Sequence, residues 1–267
     1  MSFAPRVPAE PETSPVAPGG PATGYRPGIE VLLVLGVSLG ISAINSWINF
    51  LDIQTRGGFR HAVATLNPAQ NPRAWVDLSY QLIDVVNGVT PALLALYLLS
   101  RVPAGTGFGI GLDRRRLGRE SLQGVGFFLL IGIPGLVLIY TARKLGVNAQ
   151  LDASGLADIW YRYPVLILDA IQNGVLEEIV MIGFLLTRLR ELDWGPWRAI
   201  VVSAVIRGSY HTYQGIGGLV GNFVMGAIFG WWFTRTRRVL PLVIAHSLLD
   251  IASFVGYAAL HNRISWI

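Results

Sequence analysis

The sequence has no cysteine and few charged residues, and both absences narrow the possible functions. Without cysteine there are no disulfides, no thiolate nucleophile and no Cys-ligated zinc. Only 14% of the residues are charged, whereas soluble domains have about 25%. Hydrophobic residues make up 52% of the chain, and several apolar runs reach the roughly 20 residues that cross a bilayer. These values indicate an integral membrane protein.

The net charge of +5 does not indicate a nucleic-acid-binding protein, because the basic residues lie between the apolar runs. That placement is typical of membrane proteins whose loops face anionic lipid. We therefore expect membrane lipid, and no nucleic acid, among the partners.

The apolar runs predict an all-α fold, a polytopic transmembrane helical bundle of about seven spans within a range of six to eight. Residues 1–28 are rich in Pro, Ala and Gly and predict a disordered tail, and 29–267 form the transmembrane domain. Lys and Arg favour the tail and the loops after the second, fourth and sixth spans, which predicts a cytoplasmic N-terminus in the cell membrane. The spans are predicted at about 30–51, 77–99, 121–141, 163–187, 198–213, 216–233 and 239–260.

Charged and polar residues lie inside several of these spans. A charge in the middle of a span costs roughly 2.5 to 3.5 kcal/mol and usually marks a functional site. At about 1.5 Å per helical residue, these residues lie about 12 to 20 Å from the cytoplasmic surface, whereas unrelated polar residues would scatter in depth. The common depth predicts one site, made of Glu177 with its neighbour Glu178, His211, Asn222, His246 and Asp250.

The residue types of this site suit hydrolysis. A carboxylate beside imidazoles can act as general base on a water molecule, or the group can hold a metal that activates the water. The candidate ligands are His211, His246, Glu177 and Asp250, and zinc is the candidate metal. Glu177 and Glu178 should point about 100° apart on a helix, so both cannot reach one spot and their roles should differ. A structural polar network between helices is the alternative interpretation.

Gly226 and Gly230 have the GxxxG spacing that allows two membrane helices to approach closely. The sixth span is therefore predicted to pack tightly against a neighbouring helix.

The motifs, in this order, resemble the CPBP family of intramembrane proteases, which includes type II CAAX prenyl proteases and bacteriocin-processing or immunity membrane proteins. The resemblance covers about residues 160–255 and rests on EEIVMIGF, RGSYH and HSLLD, with the helix NFVMGAIFG between the last two. It implies an intramembrane endopeptidase acting on membrane-associated peptides or proteins. In that family role, Glu177 activates water, His211 helps to position it, and His246 and Asp250 stabilise the oxyanion or complete a metal site. The motifs do not decide between a glutamate protease and a metalloprotease.

The chain departs from the family pattern at three positions. Ile182 stands where the family has arginine, Arg207 where it has an aromatic residue, and Asp250 where asparagine is common. We hypothesise that the cation has moved to Arg207 and pairs with Glu178 across the helix interface. Alternatively, the Arg207 side chain extends to the membrane surface. Asp250 would be a better metal ligand than an amide and a poorer hydrogen-bond donor.

Two other classes of function remain open from the sequence. A non-catalytic membrane scaffold or immunity-type protein of the same fold would keep the polar layer for folding alone. A small transporter would use the intramembrane Asp, Glu and His residues to relay protons. We rank the transporter last, because no inverted repeat is visible in the sequence.

Overall fold

The computed structural model describes residues 26–101, 109–113, 116–156 and 158–260. The described residues are mainly α-helical, as predicted. The predicted tail lies outside the described residues up to position 25, and its last two residues, Pro27 and Gly28, already belong to the first helix.

Short loops connect most of the helices, and two three-residue strands lie in the longer loops. The elements are α1 (Pro27–Gly36), α2 (Leu39–Thr55), β1 (Val63–Thr65), α3 (Ala74–Ser100), α4 (Leu117–Lys144), β2 (Gln150–Asp152), α5 (Arg162–Glu177), a π-helical segment (Glu178–Phe184), α6 (Leu185–Glu191), α7 (Pro196–Ser209), α8 (Ile216–Thr236) and α9 (Leu240–Leu260).

Four helices are long and apolar enough to cross a membrane, namely α3, α4, α8 and α9. α1 and α2 meet at a bend of 48° and add a fifth span if the pair is counted as one. By contrast, α5, α6 and α7 have 16, 7 and 14 residues, and each is short for a span by itself. The predicted number of about seven spans therefore stays a prediction.

The loops meet in two groups at opposite ends of the helices. At one end β1 pairs in parallel with β2, which joins the loops after α2 and α4, and Asn148 forms a bridge with Gly215 after α7. At the other end, Val239 donates its N–H to the carbonyl of Ile110 at 2.9 Å. The loops that the topology predicts on one side therefore do lie together.

Glycines allow close contact between the helices that carry the polar residues. A Cβ on Gly226 of α8 would lie 3.0 Å from Cδ of Arg207 and 3.2 Å from Cα of Ala204 on α7. A Cβ on Gly174 of α5 would lie 2.9 Å from the backbone nitrogen of Ser247 on α9. The close contact predicted from the GxxxG spacing is confirmed, and it fixes the place of the Arg207 side chain.

Candidate active site

The site is centred on Arg207, whose side chain is fully buried between α5, α7, α9 and the π-helical segment. Its Nη2 donates a hydrogen bond to Oε1 of Glu178 and lies 3.3 Å from Oε2 of Glu177. Arg207 stands in the last turn of α7, where the helix dipole favours a cation. The predicted pairing of Arg207 with Glu178 is confirmed, and the alternative that Arg207 extends to the surface is wrong. Ile182 lies in the hydrophobic core.

The two glutamates straddle the start of the π-helical segment. Glu177 and Glu178 both have α-helical φ and ψ angles, and both nevertheless reach Nη2 of Arg207. The expectation that they cannot reach one spot is wrong, because two long glutamate side chains can converge on a group that lies between their directions. The carbonyl of Met181, within the segment, accepts a hydrogen bond from Ser203 at 2.8 Å.

The environments of the two glutamates nevertheless differ. Glu178 is fully buried, whereas Glu177 keeps 8% of its surface exposed. Oε2 of Glu177 accepts a hydrogen bond from the Tyr210 hydroxyl at 2.7 Å. Of the two carboxylates, Glu177 is therefore the one that a water molecule or a substrate can reach.

His246 on α9 is oriented by the same cluster. Its Nδ1 lies 2.7 Å from Oε1 of Glu178 and 2.9 Å from Nη2 of Arg207. A single ring nitrogen either donates to the carboxylate or accepts from the guanidinium, and donation to an ionised carboxylate is the stronger bond. Nε2 then faces Glu177 at 4.0 Å and Asp250 at 3.8 Å. These distances are too long for direct hydrogen bonds and leave room for a small group between them.

His211 follows α7 and lies at the edge of the cluster. Its Nδ1 is 3.1 Å from the carbonyl oxygen of Arg207. A carbonyl only accepts hydrogen bonds, so Nδ1 carries the proton and Nε2 of the neutral ring is an acceptor. The His211 and Tyr210 ring centroids are 4.7 Å apart, which holds His211 beside the hydrogen-bond partner of Glu177.

The remaining predicted residues are placed differently from each other. Asp250 accepts a hydrogen bond from Nδ2 of Asn173 at 3.2 Å and faces His246. Asn222 donates to the carbonyl of Gly218 at 3.0 Å, one turn earlier in its own helix. No contact among the described residues brings Asn222 to the carboxylates.

Two residues of the site were missed in the sequence, Tyr210 and Asn173. Tyr210 directly precedes His211, so its hydroxyl could have been recognised as a polar group at the same depth. Asn173 stands one helical turn before Glu177, a spacing that places it on the face of α5 that carries Glu177. Both bind a candidate residue and orient its carboxylate.

The arrangement does not fit a zinc ion. Among residues 26–101, 109–113, 116–156 and 158–260, no three His, Asp or Glu side chains are grouped to hold a metal. Two zinc ligands at about 2.0 to 2.2 Å in a tetrahedron lie about 3.4 Å apart, and the Nε2 distances of His246 to Glu177 and Asp250 are 4.0 and 3.8 Å. The cation between the two glutamates is the guanidinium of Arg207.

Comparison with known proteins agrees with this geometry. Residues 159–252 match the family described as type II CAAX prenyl endopeptidase Rce1-like. No curated protein and no solved structure matches the chain. The matched segment begins before α5 and ends within α9, so it contains both glutamates, Arg207 and both histidines of the site. At residues 159–252 the chain is therefore similar to the family described as type II CAAX prenyl endopeptidase Rce1-like.

Proposed function

We propose that the chain is an intramembrane endopeptidase that hydrolyses peptide bonds of membrane-associated peptides or proteins, with Glu177 as general base on a water molecule. The observation that carries the proposal is the position of the Glu177 carboxylate. It is held by Tyr210 and Arg207, keeps some exposure, and faces the free Nε2 of His246. A carboxylate so placed can take a proton from water within hydrogen-bond reach.

The reaction follows from these contacts. Glu177 accepts a proton from water as the water oxygen bonds to the peptide carbonyl carbon, and His211 Nε2 accepts a hydrogen bond from the same water. His246, protonated at Nε2 and oriented by the contact of its Nδ1 with Glu178, donates to the developing oxyanion. When the C–N bond breaks, Glu177 returns the proton to the leaving amine. Arg207 acts as a positioning residue, because it holds both glutamates and faces His246.

The charge of Arg207 supports water activation by Glu177 without a metal. A divalent cation bound by Glu177 and His246 would stand beside the guanidinium, and like charges repel strongly in a buried site. The carboxylates already have this fixed cation, and it neutralises Glu178 while leaving one edge of Glu177 open.

The non-catalytic alternative drew support from the missing arginine at position 182. Because Arg207 brings a guanidinium to Glu178 from α7, that observation no longer favours a scaffold. The cytoplasmic N-terminus remains part of the proposal. It is supported by Arg188, Arg237 and Arg238, which lie near one another at the end of the molecule away from the strands.

The proposal is tested by incubating the protein in nanodiscs with a pool of prenylated and transmembrane peptides and reading the products by mass spectrometry. We expect products from the parent that disappear in Glu177→Ala and His246→Ala. Asp52→Asn is the matched control, because Asp52 is exposed and pairs with Arg56 at the end of α2. Addition of a chelator should leave the products unchanged. Identical product maps for parent and site variants would favour the scaffold, and loss of products with chelator would favour a metalloprotease.

A further inference from the structure

A second polar feature lies between α3 and α5, outside the Arg207 cluster. It is a cavity of about 230 Å³ whose lining includes Gln70, Gln81, Asp84, Asp169, Gln172 and Asn173. Gln81 and Asp84 are three apart on α3, and Asp169, Gln172 and Asn173 share one face of α5. Polar side chains facing each other at helical spacing between two apolar helices are costly unless they pair with protein groups or serve a ligand.

Asp169 is the residue that points to the ligand. It is only 8% exposed and lines the cavity. Among the described residues no hydrogen bond or ion pair reaches its carboxylate. The other carboxylate of the cavity, Asp84, accepts a hydrogen bond from Gln70 at 2.7 Å, and the amide of Gln81 is engaged with the carbonyl of Pro68 at 3.0 Å. A buried carboxylate without a partner is unfavourable, so the cavity is built for a positive group.

Gly88 on α3 gives the cavity part of its shape. A Cβ at position 88 would lie 2.4 Å from Cδ and Nε2 of Gln172. The glycine therefore allows the Gln172 side chain to lie against α3, where it contributes an amide group to the lining.

The cavity is connected to the candidate active site through Asn173. Asn173 lines the cavity and donates a hydrogen bond to Asp250, which faces His246. Asp169 and Glu177 are eight residues apart on α5, about 12 Å along the helix. An extended peptide advances about 3.3 Å per residue, so a group in the cavity stands about three to four residues from a bond cleaved at Glu177.

We propose that this cavity is a substrate subsite that takes the cationic side chain of a Lys or Arg residue about three to four positions from the cleaved bond. The proposal rests on the proposed endopeptidase function. A metal ion fits less well, because no group of three acidic or histidine side chains is arranged to hold one among the described residues. The volume of about 230 Å³ accommodates an ammonium or guanidinium group with part of its aliphatic stem.

The first experiment measures the charge preference of the cavity by the rate of cysteine labelling, and it does not require catalysis. Because the sequence has no cysteine, the introduced cysteine is the one thiol that reacts. Gln172→Cys is labelled with (trimethylammonio)ethyl methanethiosulfonate or with sulfonatoethyl methanethiosulfonate, and Thr55→Cys is the exposed control. We expect the cationic-to-anionic rate ratio at Gln172→Cys to exceed the control ratio by about tenfold, and to fall most of the way toward it when Asp169→Asn is added, since Asp84 keeps its charge. Gln70→Cys is a second labelling position should Gln172→Cys fail to fold.

The second experiment tests the substrate. A cleaved peptide is resynthesised with lysine or norleucine at each position near the cleaved bond. We expect kcat/KM to rise about tenfold for lysine three to four residues away, and Asp169→Asn to remove that preference, so that the ratio of lysine to norleucine peptides falls to about one. Asp52→Asn should keep the preference.

The two experiments separate the possible failures. Equal rate ratios at the two cysteines overturn the cation subsite, whether or not peptides are cleaved. A cation-selective cavity in a chain that cleaves no peptide overturns the proposed function and the substrate role together. Cleavage without a preference for lysine overturns the substrate role alone.

Discussion

Among the described residues, two arginines are fully buried, Arg188 and Arg207, and their surroundings differ. Arg188 uses both terminal nitrogens: Nη1 binds Glu191 at 2.9 Å, and Nη2 binds Glu30 at 2.7 Å and the carbonyl of Leu98 at 2.8 Å. It thereby ties α1, α3 and α6 together. Arg207 gathers Glu177, Glu178 and His246 around the single nitrogen Nη2.

The difference between the two clusters is the basis on which we propose a functional role for the Arg207 cluster and a structural role for Arg188. In the Arg207 cluster, three ionisable groups, those of Glu177, Glu178 and His246, crowd around the single nitrogen Nη2 of Arg207. Packing alone does not explain why several ionisable groups are buried around one nitrogen, whereas the contacts of Arg188 are divided between its two terminal nitrogens. Crowding of titratable groups around one cation therefore identifies the Arg207 cluster as the candidate active site.

Of the substitutions that compare the two clusters, Arg207→Leu is expected to have the largest effect on stability and cleavage. It leaves the fully buried Glu178 without its cation, so we expect a loss of about 3 to 5 kcal/mol in unfolding free energy, together with loss of cleavage. Thermal unfolding in detergent and the peptide assay check both effects.

A double variant shows whether the charge or only the packing matters at this position. Ile182→Arg with Arg207→Phe returns the cation to the position that the CPBP pattern gives it, and we expect it to recover part of the stability and cleavage lost in Arg207→Leu. Intact expression and activity in Arg207→Leu, with loss of both in Glu178→Gln, would contradict the relocation of the cation.

Arg188→Leu should separate stability from activity. The side chain of Glu30 keeps 19% exposure, whereas that of Glu178 is fully buried, so the loss of stability should be smaller than for Arg207→Leu, about 1 to 3 kcal/mol. The specific activity of the protein that remains folded should stay within about twofold, because Arg188 does not contact the Arg207 cluster in any described interaction. A loss of activity per folded molecule as large as that of Arg207→Leu would erase the distinction between the two clusters.

Gly226→Ala should disturb the Arg207 cluster from α8, the helix that packs against the aliphatic part of the Arg207 side chain. The added methyl group would lie 3.0 Å from Cδ of Arg207 and 3.2 Å from Cα of Ala204. Overpacking of this kind costs about 1 to 3 kcal/mol, and we expect cleavage to fall with it because the guanidinium is displaced. Gly126→Ala on α4 is the control, since a Cβ there meets nothing within 4 Å.

The smallest effect is expected for Tyr210→Phe, which removes the hydrogen bond to Glu177. We expect a stability change of about 0.5 to 1.5 kcal/mol and a fall in kcat of up to about tenfold, because Glu177 loses its orientation and keeps its charge. Steady-state kinetics measure the change. An unchanged kcat would show that Tyr210 does not orient Glu177.

The sequence predicted one contact of the Arg207 cluster, that between Arg207 and Glu178, and the mainly helical fold around it. Because charges inside a membrane span are costly, the similar depths of Glu177, Arg207 and His246 indicated that their side chains lie together. The exchange at positions 182 and 207 predicted the contact between Arg207 and Glu178. The π-helical segment could not be predicted, since its apolar residues suit an α-helix equally well. Depth also does not determine a rotamer, which is why Asn222 turns to Gly218 and not to the site.

The parts outside the site were harder to predict for a different reason. β1 and β2 are three residues long and pair across a large separation in sequence, so neither has a recognisable pattern alone. The cavity at Asp169 depends on α3 facing α5, and a single sequence does not specify which helices are neighbours.

The most direct test of the central claim is the kcat of Glu177→Gln compared with that of the parent, on a peptide that the parent cleaves, with matched thermal unfolding. Glutamine keeps the size of the side chain and can still accept the Tyr210 hydrogen bond, but it cannot take a proton from water. Our account predicts a loss of about 10²- to 10⁴-fold, the usual contribution of a general base. A kcat within about twofold of the parent would contradict it, because the site would then hydrolyse peptides without the Glu177 carboxylate.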